Sequence, residues 1–135
     1  MDIKMFYSEL GKLLYAIADL DGIITPQERT ELHHLISSRL TQREIHTDEF
    51  GTNDAWYAEF EFDVAEEQGM ASQEAFDSFV SYMMANKHLL NPDMKDICLL
   101  LANKLAGSYR GTNHREKLML QKLKEVLYSV QNVHT

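Results

Sequence analysis

Three acidic residues around one turn have the types and spacing best suited to metal chemistry in this chain. Asp19, Asp21 and Glu28 surround Gly22, between an apolar segment and a second amphipathic one. Divalent cations of the Ca²⁺ and Mg²⁺ class prefer several oxygen ligands, and a turn with glycine lets backbone carbonyls join the carboxylates. The spacing therefore predicts a divalent-cation site with Asp19, Asp21 and Glu28 as its ligands.

The same residues partly fit the calcium-binding loop of an EF-hand. Asp19 and Asp21 take the third and fifth places of that loop, Gly22 the sixth and Glu28 the twelfth. The first ligand place falls on Ile17, which has no ligand atom. A degenerate EF-hand-like calcium-binding protein is therefore an alternative interpretation, and the missing first ligand argues against a calcium sensor.

A structural interpretation of the turn needs no metal. Thr25 suits a helix N-cap, Pro26 the first helical position, and Glu28 the reciprocal place of a capping box. Asp19 and Asp21 suit a turn because their side chains accept hydrogen bonds from free backbone amides. From the residues alone, a cation site and a set of caps and turn formers both remain open.

Helical spacing dominates the chain, and no alternating strand pattern is present. Helices are predicted over about 3–20, 25–40 and 54–68, and further helices begin near Ser72, as an N-cap, and near residues 91 and 113. The fold class predicted is all-α: a compact single-domain bundle of six to seven helices over residues 1–135. When the sequence is aligned with itself at an offset of 88 residues, Leu13 falls on Leu101 and Glu28 on Glu116. This correspondence also suggests a degenerate duplicated helical hairpin.

The apolar positions predict which helix faces form the core. The first helix carries a stripe of Phe6, Leu10, Leu13, Leu14 and Ile17. The third helix has Trp56, Phe60 and Val64 on one face, and the fourth is predicted to direct Phe76, Phe79, Val80, Met83 and Met84 inward. The run from Ile97 to Ala102 is apolar nearly all round, which predicts that the fifth helix is the buried centre.

Composition limits the possible partners. The 135 residues carry a net charge of −8, but residues 1–86 hold 5 basic against 17 acidic side chains and the remainder hold 8 against 4. An acidic half repels phosphate backbones, so nucleic acid is not expected as a partner. The two halves either neutralise each other within the fold or leave an acidic surface for cations or a basic partner.

The apolar runs, the cysteine content and the N-terminus of the chain indicate where the protein is expected to be located. The longest apolar run is far shorter than the ~18 residues of a membrane span, so no membrane insertion is expected. One cysteine, Cys98, cannot form an internal disulfide and lies in the most apolar helix, where it is predicted to be a core residue. The N-terminus lacks the basic-then-apolar order of a signal peptide. A cytoplasmic protein is expected; the sequence does not predict its oligomeric state.

An acidic stripe on the third helix supplies secondary metal candidates. Asp63 and Glu66, with Glu59, share one face of that helix and are placed to add ligands to the turn. A solvated helix face is the alternative interpretation. The chain contains no glycine-rich phosphate loop and no nucleophile or zinc-protease motif, so no enzyme is predicted.

The first turn and its flanking helices resemble the tellurite-resistance TerB-like family, which includes N-terminal domains of some DnaJ-type co-chaperones. Asp21, Gly22 and Glu28 match the acid-glycine-glutamate signature that this family carries between two helices, and Asp19 is an additional acid. The resemblance is clearest over residues 6–40. It implies a compact all-α domain, a divalent cation held by the acids, and a role in stress-response assemblies near the membrane.

These observations predict a non-enzymatic helical interaction domain that binds a protein partner. In the first hypothesis Asp19, Asp21 and Glu28 also hold a divalent cation; in the alternative the chain is a protein–protein interaction module without metal.

Overall fold

The computed structural model describes residues 3–21, 24–35, 56–90, 92–107 and 114–129, and these ranges contain helices and no strand. The predicted all-α bundle is therefore confirmed. Within these ranges lie six α-helices: α1 Ile3–Ala18, α2 Pro26–Leu35, α3 Trp56–Gln68, α4 Ser72–Ala85, α5 Pro92–Gly107 and α6 His114–Ser129. Short 3₁₀ turns, Asp19–Asp21 and Lys87–Leu89, follow α1 and α4.

Helix α1 is the centre of the bundle and packs against α3, α4 and α5. Its predicted apolar stripe is fully buried, and so are Tyr7, Tyr15, Ala16 and Ala18 on its other sides. The prediction that α5 forms the centre is wrong, because Leu99 and Leu100 are only partly buried. In α1, by contrast, every residue from Leu13 to Ala18 is buried, so neighbouring helices cover it on several sides.

Close packing of α1 on α3 depends on Gly11. A Cβ atom built on Gly11 would lie 2.3 Å from the carbonyl oxygen of Ala58, so only glycine fits there. The buried face of α3 consists of Ala58, Phe62 and Ala65. The apolar face that the sequence gives to Trp56, Phe60 and Val64 is therefore not the core face, because Trp56 and Phe60 are each 46% exposed. Alanines allow the helix backbones to meet where the larger aromatic rings would hold them apart.

Helix α4 buries much of the face that its sequence predicts. Phe76, Phe79 and Met83 are buried as expected, together with Ala75, whereas the prediction for Met84 is wrong because its side chain is 48% exposed. Helix α6 packs against α4 and α5. Its buried side includes Leu123 and Leu127. Within the described ranges, no helix combines the length and the apolar character that crossing a membrane requires.

Side-chain contacts fix the relative directions of the helices. The ring of Tyr15, near the end of α1, meets the ring of Phe62 in α3 with centroids 5.8 Å apart. Phe62 lies at the middle of α3, seven residues before Gly69. Ser72, at the start of α4, bonds to Asp19 just after the end of α1, so these two helices are antiparallel. The Arg115 Nη1 atom donates to the Leu20 carbonyl at 3.3 Å. The end of α1 therefore meets the beginnings of both α4 and α6.

Candidate functional site

Asp19 connects the end of α1 to the beginning of α4. The Ser72 hydroxyl donates to Asp19 Oδ2 at 3.0 Å. The predicted N-cap role of Ser72 is wrong, because Ala71 is the N-cap and makes no side-chain capping bond, while Ser72 is the first helical residue. Its hydroxyl is directed to the carboxylate, whose charge is favourable beside the N-terminus of a helix.

The hydroxyl of Tyr15 is affected by two of the predicted metal ligands, the primary candidate Asp19 and the secondary candidate Glu66. Its side chain is 2% exposed, and its hydroxyl donates to the Met70 carbonyl at 2.6 Å. Burial raises the pKa of Tyr15, and the negative charges of Asp19 and Glu66 raise it further. Asp19 and Glu66 therefore both act electrostatically on this hydroxyl.

Glu66 is engaged by an arginine of α2. The Arg29 Nε atom donates to Glu66 Oε1 at 3.0 Å, and Arg29 Nη2 donates to Glu66 Oε2. This fork-to-fork geometry uses both carboxylate oxygens and is the strongest form of ion pair available to these side chains. A cation at Glu66 would have to compete with the guanidinium.

His33 occupies the rest of the acidic stripe, which we call the acidic face (Glu59, Asp63 and Glu66). The His33 Nδ1 atom contacts Glu59 Oε1, and His33 Nε2 lies 3.6 Å from Asp63 Oδ1. Helix α2 therefore lies along this face of α3, contributing Arg29 at one end and His33 at the other. The stripe is an interhelical contact rather than a wholly solvated helix face.

The predicted cation site is only partly described. The side chains of Asp21 and Glu28 lie outside the described residues. Among the side chains that the structure describes, no three of the types His, Cys, Asp and Glu are grouped so that they could hold a metal ion. Asp19 and Glu66 flank Tyr15, but a site would need the Asp21 or Glu28 carboxylate as well. Cation binding stays a prediction that depends on those two residues.

A buried polar cluster between α1 and α4 was not predicted from the sequence. Glu9 is 4% exposed, and it accepts hydrogen bonds from Ser78 Oγ at 2.7 Å and pairs with Lys12 Nζ at 3.1 Å. The Lys12 ammonium also donates to Ser78 Oγ at 3.3 Å. The spacing of Glu9 and Lys12 on one helix was the available signal. The cluster neutralises a carboxylate inside a helix contact and gives each polar atom a partner.

An exposed aromatic pair lies on the outward side of α3. The rings of Trp56 and Phe60 stack with centroids 4.9 Å apart and an interplanar angle of 24°. Tyr57 meets Trp56 edge-on at 5.3 Å, and Lys4 Nζ lies 5.7 Å from the Tyr57 ring centroid. We call Trp56 and Phe60 the aromatic patch. Both are large apolar side chains that α3 leaves outside the core.

Cys98 is a core residue, as predicted. Its side chain is fully buried in α5, and burial raises the pKa of its thiol far above the ordinary value. A thiol held protonated and shielded from solvent is not a nucleophile.

Comparison with known proteins gave no match: no protein-family model fits this sequence, and neither a curated protein nor a solved structure is significantly similar to it. The TerB-like resemblance therefore rests on the sequence pattern of residues 6–40, with Asp21, Gly22 and Glu28 as its signature.

Proposed function

We propose that this chain is a non-enzymatic helical interaction domain whose protein partner docks on the aromatic patch of α3. The observation that supports the proposal is the stacked pair of Trp56 and Phe60, each 46% exposed on a helix that already has a complete core face. Tryptophan and other aromatic residues are enriched among the side chains that dominate binding energy at protein interfaces.

The surroundings of the patch indicate the chemistry of this partner. Asp63 and Glu67, on the same outward side of α3, are exposed acids. A partner segment with an apolar side chain flanked by lysine or arginine would cover the rings and face these carboxylates. Following the TerB-like resemblance, we place this interaction in a stress-response assembly.

The partners and the burial of the potentially reactive side chains support a non-catalytic role. Glu66 is paired with Arg29, and Glu9 is neutralised by Lys12 and Ser78. The buried thiol of Cys98 lacks the accessible, activated character of a nucleophile. Reactive groups at an active site are usually accessible within a cleft and have unmet partners.

The proposal is tested by a capture experiment with a matched control. Trp56→Ser/Phe60→Ser removes the patch, while Met84→Ser/Leu89→Ser removes two apolar side chains of similar exposure elsewhere on the surface. Proteins from the source cells that bind the wild type and the control, but not the patch variant, would be purified. They should then shift the fluorescence of Trp56, the single tryptophan, to shorter wavelength on binding. A patch variant that retains every bound protein would contradict the proposal.

A divalent cation at the first turn is the second candidate function, supported by the three acids that the sequence places around Gly22. In this hypothesis Asp19, Asp21 and Glu28 hold the ion. After EDTA treatment, Ca²⁺ or Mg²⁺ at about 100 times its dissociation constant should add about 2.7 kcal/mol to the free energy of unfolding. Asp21→Asn should abolish that gain. Equal thermal unfolding with and without each ion would leave the acids as structural residues.

A further inference from the structure

A shallow groove of about 250 Å³ lies where the end of α1 meets the first turns of α4 and α6. Leu20, Phe76, Leu118 and Met119 give it an apolar lining, and Arg115 and Lys122 add two positive charges. Among the described residues that line it, none is acidic. We call this site the basic groove. In a chain of net charge −8, a site that combines apolar lining with unopposed positive charge is unusual.

The charges of the basic groove are available to a ligand. Neither Arg115 nor Lys122 forms an ion pair with any carboxylate in the part of the chain that the structure describes. Arg115 Nη1 donates to the Leu20 carbonyl at 3.3 Å, which uses one of five guanidinium N–H donors and holds the group at the groove. Asp77, an acid of α4 beside the lining residue Phe76 in sequence, already accepts a bond from Gln73 Nε2 at 2.8 Å.

The spacing of these groups matches a helix. Arg115 and Lys122 are two turns apart on α6, roughly 10 Å along its axis. Leu118 lies between them, with 55% of its surface exposed. Two carboxylates seven positions apart on another helix, with an apolar residue between them, would face all three side chains at once.

The size of the groove favours a peptide over a small molecule. Its volume of about 250 Å³ is below the roughly 300–1,000 Å³ typical of small-molecule sites, so it suits one or two side chains of a larger partner. We infer that the basic groove docks an acidic amphipathic helix of a partner protein, with an apolar side chain in the groove and carboxylates on Arg115 and Lys122. This site is separate from the aromatic patch, and its test does not depend on that proposal.

The test uses a fluorescein-labelled synthetic helix with leucine at its centre and two glutamates seven positions apart. Fluorescence anisotropy would measure its binding to the full chain. Arg115→Gln/Lys122→Gln should weaken binding at least tenfold, and Leu118→Ser should weaken it as well. The matched control is Lys117→Gln/Lys124→Gln, which removes the same charge at the same spacing on α6 from exposed residues outside the groove. The control should bind as tightly as the wild type.

The peptide also has its own controls. Replacing both glutamates by glutamine should abolish binding, and raising the salt concentration should weaken it. Equal weakening by the two double variants would show attraction to net charge alone and would overturn the inference. Absence of binding at millimolar peptide would overturn it too, as would sedimentation showing that a second copy of the chain occupies the groove. Circular dichroism would verify that each variant is folded.

Discussion

The acidic face of α3 and the basic groove beside α6 carry opposite charges, and they differ in whether those charges have partners within the chain. On the acidic face, Glu66 is bonded to Arg29 and Glu59 to His33, so helix α2 covers the carboxylates. In the basic groove, Arg115 and Lys122 face apolar side chains and no described carboxylate. A charged stripe is thus a structural contact in one region and an available surface in the other.

The comparison also shows where the acidic half finds its neutralising charges. The sequence left open whether the acidic N-terminal part pairs with the basic C-terminal part. In the described residues, Arg29, His33 and Lys12 supply the pairing, and all three belong to the acidic half itself. The exposed lysines and arginine of α6 are consequently left for other uses.

The largest predicted effect concerns the packing beneath the acidic face. Gly11→Ala would place a Cβ atom 2.3 Å from the Ala58 carbonyl oxygen, and neither helix backbone can move away without losing contacts. We expect a loss of about 3 kcal/mol in the free energy of unfolding, measured by urea denaturation.

Gly69→Ala is the control for that change. Gly69 has a φ of 66°, but nothing lies within 4 Å of an added Cβ, so only backbone strain opposes the substitution. The expected loss is about 1 kcal/mol. A Gly11→Ala loss no greater than that of the control would mean that α1 and α3 are not in close contact.

Substitutions in the acidic face and in the basic groove should change the free energy of unfolding by different, smaller amounts. A double-mutant cycle with Arg29→Met and Glu66→Gln should give a coupling energy of about 1 kcal/mol, because the pair is bidentate but partly exposed. Arg115→Gln/Lys122→Gln should change stability by less than about 0.5 kcal/mol, because neither charge forms an ion pair with a carboxylate among the described residues, and the one long hydrogen bond of Arg115 to the Leu20 carbonyl is exposed. Urea denaturation measures both. Equal losses in the two regions would contradict the distinction between them.

A further effect on the free energy of unfolding emerges only at high pH. Burial, with the hydrogen bond to Asp96, raises the pKa of Tyr128 to about 12. Because the folded-state pKa is the higher one, the stabilisation by this hydroxyl is complete below pH 10 and is lost as the pH rises toward 12. The stability advantage of the wild type over Tyr128→Phe should therefore fall over this window. An advantage that is independent of pH would show that the Tyr128 hydroxyl ionises as it does in the unfolded chain.

The sequence predicted elements better than it predicted their environments. Periodicity placed the α1 stripe and the buried side of α4 because a 3.6-residue repeat of large apolar residues is a local signal. It could not show that Ala58 and Ala65, rather than Trp56 and Phe60, face α1. That choice depends on the Gly11 contact, which joins residues far apart in the chain.

The candidate site shows the same limit. Spacing identified Asp19 as a turn acid and Asp63 and Glu66 as one helix face. Their actual partners, Ser72 and residues of α2, are set by how the helices pack and leave no short-range pattern. The sequence could not predict the basic groove either, because residues from three separate elements form it and these are far apart in the chain.

The most direct test of the interaction-domain proposal is acrylamide quenching of Trp56 fluorescence in dilute protein. Trp56 is the single tryptophan and is 46% exposed, so its signal reports on the aromatic patch without interference. The proposal predicts emission typical of solvated tryptophan and quenching close to that of a short tryptophan peptide. Blue-shifted emission that acrylamide hardly quenches would show that the patch is already covered, and would contradict its role as a free docking surface.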